Sequence, residues 1–101
     1  MISVLATISV KPENREEFIR LFNDNVPNVL AEEGCIEYFP AVDIDSGIEV
    51  QAKDENAVVV IEKWESLDHL RAHLSAPHMQ AYKEATSGMV TGLSLKILQR
   101  A

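Results

Sequence analysis

The sequence predicts a single α+β domain spanning residues 1–101, an antiparallel sheet with helices packed on one of its faces. Three observations carry this expectation. Apolar residues alternate near both ends of the chain, from Ile2 to Val10 and from Leu93 to Ile97, which is the period of a strand. Between them lie stretches whose apolar residues recur three and four apart, each opened by a helix-start signal. The 101 residues, 47% hydrophobic and 25% charged, suffice for one core and are too few for two.

In chain order, Ile2, Val4, Ala6, Ile8 and Val10 fall on one side of the first strand, and Ser3, Leu5, Thr7 and Ser9 on the other. Pro12 suits the first turn of a helix, where its missing N–H costs nothing. Glu13, Glu16 and Glu17 then sit near the positive end of the helix dipole. Phe18, Leu21, Phe22, Val29 and Leu30 make the apolar stripe. Pro27 interrupts that pattern, so a kink or short break is expected near Asn23 to Val26. Gly34 is expected as the left-handed cap that ends the helix.

Cys35 to Val42 reads as a second strand with Tyr38 and Phe39 on opposite faces, and Pro40 places it at an edge or bulge. Turn signals at Asp45-Ser46-Gly47 and Asp54-Glu55-Asn56 flank Ile48 to Gln51, which is expected to add a short hairpin strand. Val58 to Ile61 is a β-branched run that reads as a buried strand ending at Trp64. Ser66 is an N-cap, and Leu67, Leu70 and Leu74 share one helical face. Pro77 then opens a further helix carrying His78, Met79 and Tyr82, closed by Gly88. The order strand, helix, strand, strand, helix, strand is the split β-α-β, ferredoxin-like arrangement. Its uncovered face must meet water or a partner, and the apolar strand sets predict a homodimer closed sheet against sheet.

Sixteen acidic against nine basic residues give a formal charge of −7, a field that repels phosphate backbones, so nucleic acid is not an expected partner. No apolar run approaches the ~20 residues of a membrane helix. Met1-Ile2-Ser3 lacks the basic start of a signal peptide, so a cytoplasmic protein is expected. The lone Cys35 has no base beside it in sequence and reads as an inert thiol.

Chemistry-bearing residues concentrate between Val58 and Tyr82, which holds the only tryptophan, Trp64, and all three histidines, His69, His73 and His78. Imidazoles change charge near neutral pH and suit proton transfer. His69 and His73 are four apart on a helix, but no third ligand is correctly spaced, so no metal is expected. His69 falls toward the charged side and is expected in solvent; His73 flanks Leu70 and Leu74 and is expected partly buried. His78 lies at a helix start, where the dipole favours the neutral imidazole, and it fits a capping role as well as catalysis. Trp64 fits a core position as well as a site. Tyr82, one turn beyond His78, is placed to orient it or a substrate oxygen. Glu37 and Tyr38 are candidates for the far wall of a pocket.

The segments Glu-Glu-Gly-Cys (Glu32 to Cys35), Ile-Glu-Lys-Trp-Glu-Ser (Ile61 to Ser66), the histidine-rich stretch from His69 to Tyr82, and Ile97 to Gln99 carry a resemblance. Over nearly its whole length the chain resembles the antibiotic biosynthesis monooxygenase family of dimeric α+β barrels, and within it the quinol-oxidising members. The resemblance implies a homodimer that oxidises a small aromatic quinol or related phenol with O2 and no cofactor. A deprotonated quinol can itself donate electrons to oxygen, so the protein must supply a base, an apolar slot and donors for the developing anion. His73 and His78, which occur in the resembling stretch, are the expected catalytic residues, and by position Trp64, Tyr82 and Tyr38 are expected against the substrate.

Three other branches of the superfamily bear on this. Thr7, His73 and Lys83 stand where the haem-degrading branch has an asparagine, a tryptophan and a histidine ligand. Val60 and Leu70 replace the asparagine and tyrosine that accompany the strand tryptophan in the polyketide-oxidising branch. A branch that processes a phosphorylated signalling sugar is similar at His73 and at Pro77-His78. An isomerase of a small carbonyl compound and a non-catalytic binding module are therefore the alternatives, since one fold hosts many functions.

Overall fold

The computed structural model describes residues 1–101. Strand β1 (Ile2–Val10) leads through a 3-10 turn (Pro12–Asn14) into helix α1 (Arg15–Leu30). Strands β2 (Cys35–Ala41) and β3 (Ala57–Trp64) follow, then helices α2 (Leu67–Leu74) and α3 (Pro77–Thr86), and strand β4 (Val90–Leu98). The strands form one sheet in the order β2-β3-β1-β4, with every neighbouring pair antiparallel. Each helical connection therefore carries the chain past one strand to the next, and the helices lie on one face, as the split β-α-β order requires.

The core forms where the alternating positions of the two central strands meet α1. Val4, Ala6, Ile8 and Val10 of β1 and Val58, Val60 and Trp64 of β3 are buried against Phe18, Phe22 and Val29. The Phe22 ring stacks on Tyr38 of β2 at 5.4 Å and meets the edge of the Tyr82 ring of α3 at 5.6 Å. One aromatic side chain thereby ties α1 to the edge strand and to the last helix, and such pairs add to the stabilisation that burial alone gives.

Several expectations are met in detail. Pro40 lies on β2, the edge strand; the Ser66 hydroxyl accepts the backbone N–H of His69 as the cap of α2; and Pro77 is the first residue of α3. Tyr38 is buried and Phe39 exposed. No helix is long and apolar enough to cross a membrane.

Other expectations are corrected. Ile48 to Gln51 forms no strand: the stretch from Val42 to Asn56 is extended chain and turns, held by Ser46, Gln51 and Asp43 side chains, with Ile48 and Val50 exposed. Two β-branched residues cannot make a strand without a partner edge, and this stretch meets none. Helix α1 runs unbroken through Pro27, which sits in its last turn on the exposed side, where water can take the carbonyl that proline leaves without a donor. Gly34 does adopt φ +80°, but in the turn into β2 rather than as the cap of α1, whose last turn closes at Ala31. In α2 the deepest residues are Leu70 and His73, while Leu67 and Leu74 lie at the margins of the buried face. At roughly 100° per residue, Leu70 and His73 stand about 60° apart, so the face turned to the core is centred between them.

The sheet face away from the helices mixes Leu5, Phe39, Val59 and Ile61 with Ser3, Thr7, Ser94 and Lys63. On the helix side, Leu93, Leu95 and Ile97 of β4 pair with Ile8, Ala6 and Val4 and yet remain exposed, because no helix reaches over β4.

Candidate active site

A cavity of about 370 Å³ opens between the sheet and helices α2 and α3. Its floor is Ala6, Ile8 and Val60; Phe22, Tyr38, Met79 and Tyr82 form its sides; Leu93 and Leu95 of β4 lie at its open edge. Most of the lining is apolar. Lys83 and Ser87 are exposed, and Thr86 spends its hydroxyl on the Tyr82 carbonyl, so, apart from the phenols of Tyr38 and Tyr82, the ionisable groups of the interior are Glu62 and His73.

His73 is 2% exposed. Its ring lies 4.7 Å from that of Trp64 and 5.4 Å from that of Tyr38. Nδ1 stands 2.8 Å from Oε2 of Glu32, in the turn that follows α1. Burial holds the imidazole below its usual range, and the opposite pull of the Glu32 carboxylate does not overcome it. A neutral ring that donates Nδ1–H to Glu32 leaves Nε2 as an acceptor, the arrangement of a base oriented by a carboxylate.

His78 Nε2 stands 3.2 Å from the same Glu32 oxygen, at ion-pair distance but without the angles of a hydrogen bond. The two histidines singled out by sequence therefore meet on one carboxylate. Only His73 reaches the cavity; His78 lines a shallow depression on the other side of α3 with Leu21, Asn25 and Asn28. No three His, Cys, Asp or Glu side chains converge as a metal-ligand set.

Trp64 has no exposed surface and lies behind the cavity wall rather than in it. It acts on the cavity through its neighbours, with its ring against His73 and its Nε1–H donating to Oε1 of Glu62 at 3.0 Å. Tyr38 and Tyr82 do line the cavity, as expected. Burial pushes the Tyr38 phenol above its usual range and the Tyr82 phenol up to about 12, so both stay protonated at neutral pH and can donate hydrogen bonds. Glu37, the other candidate for a far wall, pairs with Lys63 on the opposite face of the sheet.

His69 is not in solvent. It is half-buried, Nδ1 lies 2.7 Å from the Ser66 hydroxyl, and its ring packs directly on Gly34. Cys35 is half-buried, and burial with the nearby Glu32 and Glu62 charges pushes its thiol up to about 11, which keeps it unreactive at neutral pH.

Glu62 and Glu32 were not among the sequence candidates. The signal for Glu62 is a carboxylate at an inward position of β3, in step with Val58, Val60 and Trp64. It is 6% exposed, beside Val4 on one neighbouring strand and Tyr38 on the other. A hydrogen bond to a charged group is worth about 1.5–3 kcal/mol, less than the several kcal/mol that burying a carboxylate costs. Burial wins over the Trp64 hydrogen bond, and Glu62 is raised to about 7. For Glu32 the sequence holds no signal, because its partner His73 is 41 residues away.

This sheet, with a cavity under two short helices and an oriented imidazole on its wall, defines a class. The profile of the antibiotic biosynthesis monooxygenase family matches residues 1–85, and the chain belongs to that family. Among curated proteins it is 44% identical to the "Probable quinol monooxygenase YgiN" of Escherichia coli K12 over 101 residues, covering 98% of this chain and 97% of that one. Among solved structures, a conserved protein of Methanosarcina mazei Go1 superposes with a TM-score of 0.84 at 24% identity, covering 99% of this chain and 92% of that one. Rv0793 of Mycobacterium tuberculosis gives a TM-score of 0.81 at 21% identity, covering 99% and 94%. At those identities the two structures establish the shared fold.

Proposed function

We propose that this chain oxidises quinols, or closely related electron-rich phenols, with molecular oxygen in the cavity beneath α2 and α3. The observation that carries the reading is an apolar cavity walled by His73, a buried imidazole whose far nitrogen is held by Glu32. The name of the Escherichia coli relative supports the same substrate class. The cavity, about 370 Å³, lies at the small end of the ~300–1,000 Å³ typical of ligand pockets, a size suited to one or two fused rings.

In this reading the ring lies among Phe22, Met79, Leu93 and Leu95, with a hydroxyl toward His73. Nε2 accepts the hydroxyl proton while Glu32 fixes the tautomer and stabilises the imidazolium that forms. His78, 3.2 Å from the same Glu32 oxygen, acts as a positioning residue for that carboxylate. The quinolate then supplies the electrons to oxygen itself, so the reaction needs no bound cofactor. The Tyr38 and Tyr82 hydroxyls are the donors available to the developing anions. A phosphorylated carbonyl substrate fits less well, since Lys83 is the only cation at the cavity. The assembly proposed with it is a homodimer, supported by the exposed apolar side chains of the sheet.

The test is oxygen uptake with 1,4-dihydroxynaphthalene and benzene-1,4-diol, set against their dimethyl ethers, which have no hydroxyl proton to lose. Uptake above the uncatalysed rate with the diols alone is expected, and His73→Gln should reduce it by about a hundredfold to ten-thousandfold. No enzymatic uptake with either diol overturns the reading.

A further inference from the structure

We propose that Glu62 is a second catalytic residue, the acceptor for the other proton of the quinol, with the Trp64 indole holding one carboxylate oxygen so that the second is presented to the substrate. The inference rests on the quinol reading above and adds to it a residue of the sheet.

The stoichiometry asks for such a group. In QH2 + O2 → Q + H2O2, two O–H bonds of the quinol break, two electrons pass from the ring to oxygen, and two O–H bonds form on the peroxide. If one oxygen atom is inserted at a ring C–H instead, QH2 + O2 gives a hydroxyquinone and H2O: four electrons pass from the ring to oxygen, the C–H hydrogen ends on the new hydroxyl, and the two quinol protons end on water. Both protons must leave the hydroxyls as the electrons leave, and His73 can hold one of them. The cavity interior contains one other base, Glu62.

The geometry is that of an acceptor held ready. Oε1 takes the Trp64 Nε1–H at 3.0 Å, and this is the only hydrogen bond Glu62 makes within the protein, so Oε2 is free for a ligand. His73 lies against the same indole, with ring centres 4.7 Å apart. Trp64 thus positions both acceptors without touching the cavity. Packing gives no reason for a carboxylate here, since Val58 and Val60 fill the preceding inward positions of β3 and Val4 the facing position of β1.

The titratable groups around Glu62 are Cys35 and Tyr38 from β2, Glu32 from the turn after α1, His73 from α2, and Tyr82 and Lys83 from α3. Burial is the leading influence and the Glu32 charge adds to it, which brings Glu62 to about 7. An acceptor is most effective when it titrates near the working pH.

Glu62→Gln tests this, because glutamine keeps the volume and an oxygen for the Trp64 N–H while removing the base. Expected for the variant are a melting temperature at or above that of the parent at pH 8, a kcat for 1,4-dihydroxynaphthalene at least a hundredfold lower, a KM within a few-fold, and loss of the acid limb near pH 7. Fluorescence of Trp64, the only tryptophan, supplies a readout independent of turnover. Its emission should titrate near pH 7 in the parent and in His73→Gln, and stay flat over that range in Glu62→Gln. A Glu62→Gln protein that oxidises the quinol with the parent's kcat and pH profile overturns the role of Glu62 and leaves the quinol reading standing. A parent protein that takes up no oxygen overturns the quinol reading and the proton-acceptor role with it.

Discussion

Glu62 and His73 pull the stability of this domain in opposite directions as pH changes. Glu62 is raised from an ordinary 4.5 to about 7, so its contribution is most favourable below pH 4.5 and is lost as pH rises through 7. At about 1.4 kcal/mol per unit, keeping it ionised costs the fold roughly 3 kcal/mol at pH 8. Glu62→Gln should therefore melt several degrees higher than the parent at pH 8 and show no such gain at pH 4, as calorimetry at the two pH values will show. His73 is depressed below its ordinary 6.5, so its contribution is full above pH 6.5 and is lost as pH falls through the lower folded value. Because Glu62 gains stability over the same range, the expected signature of His73 is a difference: His73→Gln should gain stability relative to the parent as pH falls below 6.5, read by calorimetry. Cys35, raised to about 11, should react with iodoacetamide at pH 8 far more slowly than a free thiol.

The element that sets up the site is the turn from α1 to β2, which delivers Glu32 to His73 and is closed by Gly34. Gly34 has φ +80°, and a Cβ there would lie 2.3 Å from the His69 ring. A non-glycine residue in this region costs roughly 1–2 kcal/mol before any overlap is counted. Gly34→Ala should destabilise by about 2 kcal/mol or more, with His69 forced aside. The double variant Gly34→Ala/His69→Ala should recover the overlap but not the backbone strain, a coupling of about 1 kcal/mol in urea denaturation. Ser66→Ala removes the cap of α2, the helix that carries His73, and should cost about 1 kcal/mol.

At the scale of the whole molecule, the unexplained feature of an isolated chain is its apolar exposure. Leu5 and Phe39 lie on the sheet face opposite the helices, and Leu93, Leu95 and Ile97 lie bare on β4, the first two at the mouth of the cavity. A dimer closing sheet on sheet removes the face that carries Leu5 and Phe39 from water, which is the dominant favourable term in association. Light scattering at micromolar concentration should return twice the 11.3 kDa chain mass, and Leu5→Lys/Phe39→Lys should shift it toward the single mass. A parent protein at 11.3 kDa would exclude the dimer.

The sequence by itself determined the four strands of the sheet, the helices between them and their order, but not that Ile48 to Gln51 stays out of the sheet or that α1 runs unbroken through Pro27. Strand and helix periods, the Ser66 cap, Pro77 at a helix start and Pro40 on an edge strand are local properties, set by backbone sterics and by side chains a few residues apart. It also determined that Trp64 and three imidazoles gather between β3 and α3. Only the tertiary structure decided what each of them meets. Glu32 joins His73 and His78 because α1 ends beside α2, a contact between residues 41 apart that no local pattern encodes. Trp64 stands behind the cavity because α2 turns Leu70 and His73 inward, and Glu62 becomes a buried acid because the helices cover its strand. Periodicity names the face a residue lies on; burial, and with it the protonation state of a carboxylate or an imidazole, depends on what the rest of the chain lays over that face.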